Sequence, residues 1–184
     1  MGPPVTDDLS FSQLMLSADR DAQQILERVW IAGPELDDVK LPVDPFHIAR
    51  ELGLQVYTDR SLAADVSGML VKRAGYDDPE ILLNAGDSRN RQRFTCAHEL
   101  GHYTKRTQTG DEGPWEYVDR RDTLSTQGKN ADEIYANQFA AALLMPAETV
   151  RRRAQGSVVA TALAFEFGVS ADAMTFRLKN LGLL

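Results

Sequence analysis

Apolar residues recur at helical spacing near both ends of the chain and at strand spacing in its middle, an order that predicts an α+β fold. Ala22, Ile25, Leu26 and Val29 stand at i, i+3, i+4 and i+7, the stripe of an amphipathic helix. It follows residues 1–17, which read as a mobile tail. Pro, Gly and Asp crowd the segment from Ala32 to Pro45, which reads as a loop. Phe46, Ile48, Ala49 and Leu52 then predict a short helix stopped by Gly53. Three β-rich runs come next: Leu54 to Thr58, Gly68 to Arg73 and Glu80 to Asn84. They predict a small three-stranded sheet, with the turn residues Gly75 to Pro79 joining the last two runs.

The second half is mostly helical. Asp87 or Ser88 can cap a helix that begins near Arg89 and carries Phe94, Ala97, Leu100 and Gly101 as apolar or small positions. A second helical run, Glu133 to Met145, ends at Pro146, which cannot continue it. Between them Thr104 to Lys129 is long, polar and broken by Gly110, Gly113, Pro114 and Gly128, the composition of a cleft wall or flap. Trp115 and Tyr117 either anchor that loop to the core or fill substrate subsites. Two last helices, Val158 to Phe167 and Ala171 to Leu181, flank Gly168-Val169-Ser170, with Ser170 as cap and Gly182 as stop. The expected organisation is a tail over 1–17, a main domain over 18–150, and a helical hairpin over 151–184 packed on it, resembling half of a helix-turn-helix.

Composition narrows the function classes. A chain of 184 residues with 43% hydrophobic content can bury a proper core. Its net charge of −7 argues against direct nucleic-acid binding, and the one dense basic run, Arg151-Arg152-Arg153, reads as a solvated helix face. No run of eighteen apolar residues and no signal-peptide pattern is present, so the expected location is the cytoplasm, without a membrane. The single cysteine, Cys96, permits no internal disulfide and reads as a small core residue.

The candidate chemistry lies in His98-Glu99-Leu100-Gly101-His102. Residues four apart on a helix differ by about 40° around its axis, so both imidazoles leave one face and can grip one metal ion. Glu99, about 100° from His98, can reach a metal-bound water without displacing it, as a catalytic base requires. Gly101 inside a helix costs about 1 kcal/mol relative to Ala, which points to a neighbouring backbone approaching closely. A hydrolytic zinc site takes three protein ligands, and Glu133 is the best candidate for the third. Asn137, one turn on, would hold the Glu133 carboxylate. The bland reading is that Asp132 and Glu133 only favour a helix N-terminus.

Arg93-Phe94-Thr95-Cys96-Ala97-His98-Glu99-Leu100-Gly101-His102, with Glu133, Ala136-Asn137-Gln138-Phe139-Ala140-Ala141 and Leu143-Leu144-Met145-Pro146 downstream, resembles the ImmA/IrrE family of metallopeptidases. Pro42-Val43-Asp44, Ser67-Gly68, Ile81-Leu82-Leu83-Asn84 and Phe167-Gly168-Val169-Ser170 extend the resemblance from about residue 20 to the C-terminus. Cys96, where relatives carry a larger aliphatic, and Tyr135, where an acidic residue is common, are departures. The sensor-like C-terminal domain of radiation-response members is expected to be absent. The resemblance implies a zincin-like fold, one zinc per chain on His98, His102 and Glu133, Glu99 as base, and cleavage of a helix-turn-helix repressor. Manganese is the alternative metal. In zincins a sheet edge pairs with extended substrate, which makes Ser67, Gly68 and Met69 candidate substrate-binding residues beside Trp115 and Tyr117. His47, Tyr103 and Tyr117 are candidates for stabilising the oxyanion. The alternative function is a metal-stabilised protein that sequesters a regulator, as in a toxin and antitoxin pair, with little proteolysis.

Overall fold

The computed structural model describes residues 10–30, 39–76, 78–110, 113–120, 131–156 and 159–184. Helix α1 (Phe11–Ile25) opens on a capping box, in which Ser10 Oγ accepts from the Gln13 amide and Gln13 accepts from the Ser10 amide. The tail expected over 1–17 is therefore corrected from Ser10 onward, and residues 1–9 lie outside the described residues. Leu14 and Ala18 continue the buried stripe of Ala22 and Ile25 backwards at four-residue spacing, and this stripe holds residues 11–17 in the helix. One π-helical turn, Leu26–Trp30, follows. Helix α2 (Pro45–Glu51) has Pro45 at its start and Asp44 accepting from the Phe46 amide.

The sheet has four strands, not three: β1 (Gln55–Asp59), β2 (Val66–Lys72), β3 (Glu80–Asn84) and β4 (Trp115–Arg120), in the order β1-β3-β2-β4. β1 runs parallel to β3, and β2 runs antiparallel to both β3 and β4. The fourth strand comes from the stretch expected to be a flap. Trp115, Tyr117 and Asp119 alternate inward while Glu116, Val118 and Arg120 are exposed. A charge ends the inward series and a valine interrupts the outward one, which hides the two-residue period from a hydrophobicity reading. The fourth strand also removes the proposed peptide-binding edge at Ser67–Met69, because β2 is paired on both sides, and among the described residues the edges are β1 and β4.

Helix α3 (Arg89–Gln108) starts where Ser88 Oγ accepts from the Arg91 amide, and runs four residues beyond Thr104 before turning. It lies against β2 so closely that a Cβ on Gly68 would collide with the Thr95 methyl, so Gly68 serves this packing. Helix α4 (Ala131–Leu144) crosses α3 at Gly101, where a Cβ would sit 2.9 Å from the Ala136 Cα. The glycine thus admits the neighbouring backbone that its helix-interior cost implied.

Pro146 both ends α4 and caps a further short helix, α5 (Ala147–Arg153), which apolar periodicity did not reveal. Arg151 and Arg153 pair with Glu148 and Glu166, in keeping with a solvated face. Helices α6 (Ala160–Phe167) and α7 (Ala171–Asn180) form the C-terminal pair, joined by Gly168 in a left-handed conformation and capped by Ser170. Phe167, Met174 and Leu178 enter the same core as Leu100, Phe139 and Leu143. The buried Arg93 guanidinium donates to the carbonyls of Gly168, Val43 and Phe167, tying this hairpin to α3.

Candidate metal centre

The buried run of α3 carries His98 and His102 on one face, 1% and 4% exposed, with their Nε2 atoms 3.0 Å apart. The first turn of α4 brings Glu133 to them: Oε2 lies 3.3 Å from His98 Nε2 and Oε1 lies 3.2 Å from His102 Nε2. Ligands at 2.0–2.1 Å around a tetrahedral ion are roughly 3.3 Å from one another, so this triangle fits one small divalent cation. Among the described residues it is the one group of three metal-ligating side chains whose donors all lie within 4.8 Å of each other.

The surroundings orient these donors. Asn137 Oδ1 stands 3.1 Å from His98 Nδ1, which donates to it and so turns Nε2 toward His102 and Glu133. Asn137 was expected to hold Glu133; the one-turn spacing on α4 instead places it behind the His98 ring. The Tyr117 ring stacks on His102, with centroids 4.8 Å apart and planes 13° from parallel. Asn137→Ala is expected to weaken zinc binding about 10- to 100-fold in a chelator competition while the fold melts normally.

Charge at the site is arranged for a cation. Burial opposes ionisation of Glu133, yet hydrogen bonds from His102 and His98 hold its carboxyl well below the usual range. Burial lowers His102, the neutral state that a ligand needs. His98 is raised: burial opposes the proton, but the hydrogen bond to Glu133 and the charges of Glu99 and Asp119 outweigh it. Positive charge is thus drawn to the point where the donors converge. Glu99 is fully buried, and neither carboxylate oxygen has a partner among the described residues. Burial pushes its carboxyl up to about 8, offset by His98 and reinforced by Asp119 and Glu133. An orphaned acid of this kind is suited to exchanging a proton with water.

Two residues that the sequence did not single out complete the neighbourhood. Asp119 on β4 is buried, and burial raises its carboxyl while His98 and Arg91 pull it down. Arg91 lies 3.6 Å from Asp119 and also donates twice to Ser67 Oγ, so it clamps β4 and β2 to α3. The one signal for Asp119 was its alternation with Trp115 and Tyr117. Ser67 is buried in this clamp, and Met69 faces Leu82 on one side and Val118 on the other. Both are scaffold rather than a free substrate edge. Trp115 packs beside Tyr117, with ring centroids 6.0 Å apart. Of the oxyanion candidates, Tyr103 donates to the Leu52 carbonyl and His47 meets the Trp30 ring, which leaves Tyr117 at the centre. Cys96 is buried in the core, and burial pushes its thiol up, away from reactivity.

An α+β fold with an HExxH helix and a carboxylate from a crossing helix defines a metallopeptidase-like class. The profile of the IrrE N-terminal-like domain, peptidase family M78, matches residues 49–179, and the chain belongs to this family. A solved structure described as a Mycobacterium tuberculosis transcriptional regulator shares the fold, with a TM-score of 0.58 and 20% identity over 89% of this chain. The chain spans 46% of that longer one. No curated protein gives a significant match. Among the described residues no helix is long and apolar enough to cross a membrane.

Proposed function

We propose that the chain is a zinc-dependent endopeptidase that cleaves a helix-turn-helix transcriptional repressor and so relieves repression. The observation that carries this reading is the donor triangle of His98, His102 and Glu133 with the unpartnered Glu99 carboxylate inside the same helix. Zinc bound there supplies an electrophile for the scissile carbonyl and an acidified water at neutral pH. Two imidazoles and one carboxylate suit zinc, and manganese is the alternative.

The side chains divide the work. Glu99 takes a proton from the attacking water at a carboxylate oxygen and delivers it to the leaving nitrogen. Asn137 fixes the His98 tautomer, and Tyr117 holds the plane of His102. Among the described residues the outer edge of β4, which carries Tyr117, is unpaired and offers backbone pairing to an extended substrate segment next to the metal centre. In this reading the main domain begins with α1 and gives way to the C-terminal hairpin at about residue 150. Membership in a peptidase family supports the reaction, and the name of the structural neighbour is in keeping with a role in regulation. Sequestration without cleavage leaves Glu99 without a purpose, since a structural zinc site closes on four ligands and uses no base.

Zinc-loaded protein incubated with the helix-turn-helix regulator encoded beside its gene is expected to release a discrete fragment, seen by mass spectrometry. Chelation should stop the cleavage and added zinc should restore it. A stable complex with an intact regulator would contradict the reaction.

A further inference from the structure

Among the described residues, three helices leave a place for a fourth. Ile134, Gln138, Ala141 and Met145 recur every three or four residues along α4 and its last turn, and this stripe floors an open groove of about 770 Å³. The walls repeat the same spacing, with Phe11 and Met15 on α1 and Ala173 and Phe176 on α7. At the rim Phe11 is 64% exposed and Phe176 66%, although each could bury most of its ring against a partner. Stripes at i, i+3, i+4 and i+7 are the surface that helix bundles bury against another helix. The two methionines adapt to partners of varied shape.

We propose that this groove docks an amphipathic helix of the substrate protein, beside the bond to be cut. The proposal rests on the peptidase reading and names how that site recognises its substrate. Continuity with the metal centre selects the occupant. Asn137, which lines the groove, is the residue that accepts from His98 Nδ1. Phe94 also lines it, with its ring centroid 6.4 Å from that of His98, and Ile134 directly follows the ligand Glu133. A helix seated here lies against the back of His98, so the next segment of its own chain is brought to the neighbourhood of the donor triangle at a raised effective concentration. Charge favours the same occupant: the chain carries −7 overall, Asp172 is exposed on the groove while its other charged lining residue, Arg177, is buried and paired with Asp19, and a DNA-binding substrate is basic. Helix in groove is a recurring mode, with apolar anchors at helical spacing giving affinity.

The test uses zinc-loaded Glu99→Gln protein, so that binding is read without turnover. The probe is a fluorescein-labelled Leu/Lys peptide of about 18 residues, five turns, with Leu at i, i+3, i+4 and i+7, set against a scrambled peptide of equal composition. Fluorescence anisotropy is expected to give at least roughly tenfold tighter binding of the amphipathic peptide. Phe176→Asp at the exposed rim and Ala141→Trp in the floor should each remove that preference with zinc content unchanged. Equal affinity for the scrambled peptide, or an undiminished preference in both variants, would overturn the proposal. Light scattering showing a dimer that Phe176→Asp converts to monomer would overturn it too, assigning the groove to a second copy of the chain. Because no cleavage is measured, these results stand apart from the fate of the peptidase reading.

Discussion

Glu99→Gln is expected to lower peptide cleavage roughly a hundred- to ten-thousandfold while the protein still binds one zinc, the range associated with removing a positioned general base. The amide is isosteric, so the donor triangle is undisturbed, but it cannot take the proton of the attacking water. A stability effect of opposite sign accompanies the loss. In the metal-free protein burial raises the Glu99 carboxyl from 4.5 to about 8, so the folded state prefers the proton. The associated stability is complete below about pH 4.5 and is lost as pH rises toward 8. Gln has no such titration, and chelated Glu99→Gln should therefore melt above chelated wild type at pH 7 to 8. Retained turnover by pure Glu99→Gln would remove Glu99 from the chemistry.

Gly101→Val is expected to destabilise the fold by about 3 kcal/mol, the upper end for overpacking a well-filled core. The Gly101 position faces the Ala136 backbone with a Cβ separation of 2.9 Å, and backbone cannot rotate aside as a long side chain would. Helices α3 and α4 would have to part, and the distance between the paired imidazoles and Glu133 would grow with them. Melting by circular dichroism should fall by about 10 °C, and zinc affinity should fall with it. A variant that melts and binds zinc like wild type would show that the crossing is looser than the geometry describes.

These two positions mark how far the sequence could be read. The HExxH pair lies within one helix, where local periodicity decides the outcome, and was legible; of the two cap candidates, Asp87 and Ser88, Ser88 caps it. Gly101 was legible for the same reason: a costly residue inside a regular helix implies a tertiary contact. Glu133 was named from the need for a third ligand and strengthened by the resemblance, because helix spacing alone cannot bring a residue thirty positions away to a metal. Asn137 was located on the correct face but given the wrong partner, since one turn of α4 reaches past Glu133 to the back of His98. The misreadings share one cause. Trp115 to Arg120 pairs with β2 through backbone groups that carry no side-chain signature, and its inward series includes the charged Asp119. Missing that strand also made β2 an edge and turned Ser67 and Met69 into substrate contacts. The first half of α1 was taken for tail because only Leu14 and small Ala18 form its buried face, while the exposed Phe11 and Leu16 blur the stripe.

The most direct test of the central claim is zinc content measured together with zinc-edge X-ray absorption on wild type and Glu133→Ala. Two imidazole nitrogens and one carboxylate around a single zinc in wild type, with zinc lost in the variant, is the expected result. Full occupancy in Glu133→Ala, or a closed shell of four protein ligands in wild type, would contradict the hydrolytic centre.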